Sequence, residues 1–419
     1  MLRTPGAWTF LAPALVARLP YAMLSMGILL LVTQTHGSYG TAGTVTAVAA
    51  VAQALIGPQT GRLADRYGQA AVLVPTVLVH AVSVGTLIAL ALGHAPVWSL
   101  CLAAVPAGAS VPQVGAMVRA RWVATFSADG ASDTTAARVG TAFAFESVTD
   151  EFTFVIGPIL ASGIAALVNP ATALVAEASL TLVGGLAFAA QRRTAPARIV
   201  PQPGTKRASA LASPGVRLLA GAFLGVGSVF GGMQVSVNAF ADEVGQHAAG
   251  GTVYGIFAGG SMLAGVLYGV IAWRRSVQQR MLISYALLVL GCSTLWAMPN
   301  LIALTVAGLV CGLAIAPTLI SGYTLVETLV ADGAKTEAFT WLTGAIGLGL
   351  AVGSMAAGRL IDGHGPSTGF LVPVVGAGLG LVALVSLRHL LAAPRAGSGS
   401  GAGSVARGGV EPLVGAANG

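Results

Sequence analysis

The sequence predicts an all-α polytopic membrane protein of twelve transmembrane helices, arranged as two parallel six-helix halves. Three observations predict it. Of 419 residues, 55% are hydrophobic and 8% charged, against about a quarter charged in an ordinary soluble domain, and mean hydropathy is +0.83. The apolar residues lie in long continuous runs, each near the ~20 residues that a helix needs to cross a ~30 Å hydrocarbon core. The basic residues collect in alternate loops. Together these exclude a soluble globular protein and a disordered chain, which stays in water through low hydrophobicity and high charge density. They also exclude a transmembrane barrel, whose strands alternate apolar and polar residues. The net charge of +7 and pI near 9.8 do not point to nucleic acid, because the 21 basic residues are scattered and form no single stripe.

The first run, Trp8 to Thr33, follows a short N-terminus carrying Arg3. It is too long for a signal peptide and lacks a small-residue cleavage site after a short apolar core, so it reads as a retained span. Five more follow: Thr41 to Thr60, Ala71 to Leu92, Val97 to Met117, Val139 to Val168, and Ala171 to Ala190. Residues 1–190 therefore form the first six-helix bundle. Residues 191–215 differ in composition, with Arg192, Arg193, Arg198, Lys206 and Arg207 among prolines, and read as a solvated cytoplasmic linker. The second bundle, 216–391, has runs at Val216 to Phe240, Thr252 to Trp273, Met281 to Met298, Leu301 to Leu325, Phe339 to Ile361, and Phe370 to Leu391. The tail, 392–419, is rich in Gly, Ala and Ser and reads as disordered and cytoplasmic. Cys101, Cys292 and Cys311 all fall inside apolar runs and read as small buried hydrophobes.

With the N-terminus cytoplasmic, all but two of the 21 basic residues fall on the cytoplasmic side, as the positive-inside bias requires. The exceptions are Arg359, outside, and Arg18, within the first span. Sliding one half along the other brings Ala142-Phe143-Ala144 onto Ala338-Phe339-Thr340, Gly157 onto Gly353 and Pro170 onto Pro366 without a gap. A second register brings Gly57 onto Gly265, Gly61 onto Gly269 and Arg66 onto Arg274. Two parallel six-helix repeats explain these matches, and many secondary transporters are built that way.

Between the second and third runs stands Gly61-Arg62-Leu63-Ala64-Asp65-Arg66-Tyr67-Gly68-Gln69. It resembles the loop signature G-x-L-x-D-R-x-G-[RK] of the major facilitator superfamily, in that family's expected place after span two. The resemblance extends over the architecture from Trp8 to Leu391 and implies a gating role for Gly61, Asp65, Arg66 and Gly68, latching the two halves in one conformation. Gln69 departs from the usual basic residue, and the second-half counterpart, Gly269 to Arg275, has lost the aspartate. In span five, Phe154 to Gly163 looks like the G-P-x-x-G-G signature of the family's antiporters, with Ala161-Ser162-Gly163 in place of the tighter glycine pair. Gly157, Pro158 and, in span eleven, Gly353 are then expected at the packing interface between halves.

Ionisable residues at membrane depth are costly and mark candidate sites. Span one holds Arg18; span five holds Glu146, Asp150 and Glu151, with Glu146 and Asp150 on one helical face. At 1.5 Å per residue from the cytoplasmic ends they reach similar depths of roughly 10–17 Å. Spans one and five are neighbours in the family fold, so an ion pair between Arg18 and one of these carboxylates is expected. Two carboxylates beside one arginine leave one imperfectly compensated. Such a group either carries a proton across, or Arg18 and its partner form a static bridge pinning the two spans. Glu177 and His80 read as lone polar residues. The family's pocket-lining spans carry few polar groups, among them Tyr21, Gln113, Gln234, Asn238 and Tyr323, which suits a small amphipathic or hydrophobic solute better than a sugar.

The reading implied is a secondary active transporter working by alternating access, with proton-coupled efflux favoured. Proton-linked uptake of a metabolite and a non-transporting receptor or scaffold are the alternatives. No Walker loop, H-E-x-x-H or nucleophile elbow occurs, so neither ATP-driven pumping nor enzymatic activity is expected, and no cofactor or metal. The expected partners are a small-molecule substrate, protons and the lipid bilayer, with the chain a monomer. Abundant Ala and Gly, with Lys206 and Lys335 its lysines, fit a GC-rich bacterial genome and hence the inner membrane.

Overall fold

The computed structural model describes residues 6–127, 133–196, 210–271, 273–330 and 335–391. The linker charges Arg198, Lys206 and Arg207, the tail 392–419, and the side chains of Asp65 and Glu151 lie outside the described residues. The described chain is helical throughout: α1 (Ala7–His36), α2 (Tyr39–Tyr67), α3 (Gln69–Leu92), α4 (Val97–Ala109), α5 (Val114–Ser127), α6 (Asp133–Leu167) and α7 (Pro170–Ala190) in the first half. The second half contains α8 (Pro214–Glu243), α9 (Ala249–Val270), α10 (Val277–Leu295), α11 (Leu301–Gly312), α12 (Ile315–Leu329), α13 (Lys335–His364) and α14 (Leu371–Ser386). Local chemistry sets the boundaries. Gly37, at φ 64°, closes α1 in a left-handed conformation, and the Ser38 hydroxyl then caps α2 by accepting the Thr41 N–H. Asn169 caps α7 with Pro170 in the first turn, and Ser276 with Gln279 forms a capping box for α10.

Spans four and ten are each broken in two, where the sequence reads as one run. After α4, Pro112 lacks an N–H and disfavours helix at Val111, so the chain leaves the helix until α5 begins at Val114. Span ten breaks at Leu313 and Ala314, shortly before Pro317. Among the described residues, eleven stretches are long and apolar enough to cross a membrane, each broken span being taken whole. The twelfth span is α10, whose apolar content is diluted by Gln278, Gln279 and Arg280 in its first turn; it packs among α11, α12 and α14.

The two halves repeat each other's packing. A Cβ on Gly108 of α4 would fall on the Ala49 carbonyl of α2, and one on Gly312 of α11 on the Phe257 carbonyl of α9. Span four thus lies against span two as span ten lies against span eight. Gly157 and Gly353 are equivalent in the same way, which corrects the expectation that they pack between halves. A Cβ on Gly157 would meet Ala22 of α1 at 2.7 Å, and one on Gly353 the Ser228 carbonyl of α8 at 2.5 Å. Each lets the fifth span of its own half approach the first, because a missing side chain is needed wherever helix backbones come this close.

Candidate functional site

The charges expected at depth converge where α1, α5 and α6 meet. Arg18 Nη2 lies 2.5 Å from Glu146 Oε2, and both side chains are buried, at 6% and 0% exposure. The Trp122 indole N–H donates to the other Glu146 oxygen at 2.8 Å. Trp122 itself is fully buried, edge-on to Phe10 and stacked on Phe126. One turn further along α6, Asp150 faces Arg18 at 3.5 Å and pairs with Arg119 at 2.7 Å. The Arg119 and Asp150 side chains are 32% and 35% exposed. The cluster therefore has an inner, dehydrated pair and an outer pair that solvent reaches.

Arg119 is the residue that sequence reasoning missed as part of this cluster. It reads as a loop cation that sets topology, but the break in span four turns α5 so that Arg119 lies against α6. Its charge balances the second carboxylate, so among the described residues Arg18 and Arg119 match Glu146 and Asp150, and the expected charge deficit is absent. Arg121, also read as a loop cation, is buried among Gln69, Thr194, the Phe188 carbonyl and the Phe188 ring. Gln69 accepts from Arg121 at 2.8 Å and donates to the Met117 carbonyl at 2.9 Å. A basic side chain at position 69 would face Arg121 with like charge, which accounts for glutamine there. His80 and Glu177 are likewise not lone residues: they lie 2.9 Å apart between α3 and α7, with His80 also on the Ala107 carbonyl of α4.

Among the described residues, hydrogen bonds join the two halves at one end. At the end carrying Gly37, Gly245 and Gly365, Asp362 of α13 accepts from the Ser38 hydroxyl at 2.6 Å and from the Tyr39 and Gly40 N–H groups at 2.9 and 2.8 Å. A carboxylate at a helix N-terminus is favoured by the helix dipole, here across the interface. The Tyr39 hydroxyl bonds Asp242 at the end of α8. On the other side of the bundle, Gly251 and Gly255 of α9 pack against Pro158, Ile159 and Ser162 of α6. At Gly61, Gly259, Gly269 and Gly344, toward the linker end, a Cβ would meet nothing within 4 Å.

Of the expected pocket residues, Tyr21 stands on α1 and Tyr323 on α12. Tyr21 is 38% exposed and edge-on to Phe154. Tyr323 packs against Phe223 and Phe339, with its hydroxyl 3.2 Å from Thr343. Gln113 sits in the break of span four against Gly57. Gln234 and Asn238 do not line an open pocket in this conformation. Gln234 donates to Ser25 at 3.0 Å and Asn238 contacts Met26, both in the seam between α8 and α1.

A broken fourth and tenth span, repeat-related packing of the halves and a signature loop after span two coincide in this chain, and the sequence profile of the Major Facilitator Superfamily matches residues 12–337. The chain belongs to the Major Facilitator Superfamily. As a member of that superfamily it is a multi-pass membrane transport protein. Its fold is similar to that of the nucleoside transporter NupG, at TM-score 0.67 and 15% identity over 91% of this chain and 99% of that one. It is also similar to an auto-inhibited POT family peptide transporter, at TM-score 0.64 and 12% identity over 92% and 96%, and to the POT family transporter PepTSo, at 0.64 and 12% over 92% and 97%. Comparison with curated proteins gave no match. Within the superfamily loop, Gly68 takes φ 97° as it closes α2, with its N–H on the Ala64 carbonyl at 2.9 Å, and Arg66 stacks on Tyr67. A side chain at Gly68 would be strained in that conformation.

Proposed function

We propose that this superfamily member is a proton-coupled secondary transporter that exports a small amphipathic or hydrophobic compound across a bacterial inner membrane, with both termini cytoplasmic and the monomer as the working unit. The observation that carries the reading is the division of the charge cluster into a buried pair, Arg18 with Glu146, and a solvent-reached pair, Arg119 with Asp150. A carboxylate that must exchange protons needs water; Asp150 has it and Glu146 does not. Asp150 is accordingly the proton carrier, and Glu146 is the static bridge between spans one and five. A proton arriving on Asp150 removes the charge that holds Arg119 and part of the charge that faces Arg18, which frees α5 to move against α6. The aromatic flanks at Tyr21 with Phe154 and Tyr323 with Phe339 favour a solute with an apolar body. In this orientation the end joined through Asp362 and Asp242 is extracellular, and the loop from Gly61 to Gly68 is the cytoplasmic latch between the halves.

The test is transport of a labelled solute panel in everted vesicles, with and without a proton gradient. Export appears as gradient-driven accumulation inside them. Uptake in the cell would reverse the sign, and a receptor or scaffold would give no flux in either direction. Asp150→Asn should abolish the response to the gradient while leaving downhill solute flux. Full gradient-driven transport by Asp150→Asn would overturn the assignment of the proton to this residue.

A further inference from the structure

A groove of about 770 Å³ opens on the outer surface of the second half, between α10 on one wall and α11, the break of span ten and α12 on the other. It is far from the charge cluster. Its mouth is formed by Tyr268, Trp273, Arg275 and Arg280, and its shaft by apolar side chains including Leu287, Leu290, Val310 and Leu313. From Arg280 to Thr294 it follows α10 for about 21 Å, deeper than the ~15 Å of hydrocarbon in one leaflet. The hydroxyls bordering the shaft are already engaged: Ser284 bonds the Met281 carbonyl at 3.1 Å and Thr294 the Gly291 carbonyl at 2.8 Å. The shaft thus offers no free hydroxyl donor to a polar solute, whereas the mouth offers two cations.

The mouth is built. The Trp273 N–H donates to the Tyr268 carbonyl at 2.9 Å, the two rings lie 4.8 Å apart, and Arg280 stands over both at 5.3 and 5.6 Å. Yet the Arg280 Nε is buried with no hydrogen-bond partner, and among the described residues neither Arg275 nor Arg280 is ion-paired. Tyrosine and tryptophan at this depth belong to the headgroup level. Uncompensated arginines beside them, above a dry apolar shaft, match a phosphate headgroup with an acyl chain below it.

We propose that this groove is a binding site for an anionic phospholipid, its phosphate on Arg275 and Arg280 and one acyl chain in the shaft against the break of span ten. A zwitterionic lipid brings its own cation to the two arginines and is disfavoured. The occupant braces α12, the helix that carries the expected pocket residue Tyr323, so it couples lipid composition to transport. That the leaflet is the cytoplasmic one rests on the orientation proposed above.

The test uses the full chain purified in neutral detergent and titrated with phosphatidylglycerol or phosphatidylcholine, with bound lipid read by native mass spectrometry and unfolding by a thermal melt. Phosphatidylglycerol should be retained and should raise the melting temperature, and phosphatidylcholine should do neither. At about fivefold per arginine, Arg275→Gln with Arg280→Gln should weaken phosphatidylglycerol binding about twenty-five-fold. Leu287→Trp, which fills the shaft and leaves the mouth intact, should weaken it independently. Equal retention of both lipids, unchanged binding by both variants, or full replacement of the lipid effect by inorganic phosphate would each overturn the proposal. The micelle measurement does not depend on orientation, so its failure is separate from failure of the topology.

Discussion

A carboxylate with no exposure inside a membrane protein is tolerable only when its oxygens are matched, and Glu146 has Arg18 on one and the Trp122 indole on the other. Removing one partner of such a pair leaves a buried charge, a loss of about 3–5 kcal/mol. Glu146→Ala is therefore expected to lower the melting temperature sharply in detergent. The double change Arg18→Met with Glu146→Leu should recover part of it, because two apolar side chains need no compensation. Asp150, which water reaches, should behave in the opposite way, with Asp150→Asn affecting coupling far more than melting. That Arg18 needs a carboxylate at its depth was legible in the sequence from hydropathy and helical rise alone. That Arg119 joins it was not, since a cation in the second turn of a new helix looks the same as a cation in a loop until the break in span four is known.

Among the elements, the broken spans carry the most information. Gly108 and Gly312 allow spans four and ten to touch the backbones of spans two and eight, and in each case the obstacle to a Cβ is a carbonyl that cannot rotate away. Gly108→Val and Gly312→Val should each destabilise by about 1–3 kcal/mol, the usual cost of overpacking. Gly85→Ala, on α3 with nothing within 4 Å, should be neutral or better in the same melt. The glycine matches between the halves were visible as sequence. Their meaning was not, because a small residue in a membrane helix marks a close approach without saying to which neighbour. The Gly157 and Gly353 pair shows the ambiguity resolved, with each facing the first span of its own half.

For the molecule as a whole, two carboxylates tie the halves together at one end, over a seam of close glycine contacts such as Gly43 on Ser354 and Gly358 on Tyr39. Asp362 accepts three hydrogen bonds from the start of α2, and Asp242 takes the Tyr39 hydroxyl. Hydrogen bonds to a charged acceptor contribute about 1.5–3 kcal/mol each before water replaces them, which is the scale of a two-state equilibrium between opposite openings. Asp362→Ala should shift the population toward opening at this end by at least about tenfold, the equivalent of one such bond. Spin labels at Val168 and Val244, both exposed at that end, would report it as a longer distance component. An unchanged distance distribution would show that the glycine seams of α2 with α13 and α6 with α9 suffice without the carboxylate.

Composition, run length and the placement of basic residues were enough to establish a twelve-span helical membrane protein in two related halves, because lipid permits so few ways to satisfy a backbone. The loop from Gly61 to Gly68 was enough to suggest the superfamily. Helix rotation, the breaks in spans four and ten and the seam between the halves belong to the tertiary structure alone. They decided that Glu146 is sealed while Asp150 is wet, that Arg119 completes the cluster, and that Gln234 and Asn238 lie in a closed seam. The physical reason is that hydropathy depends on what each residue is, whereas charge pairing depends on which face of its helix it occupies and what stands opposite within about 4 Å.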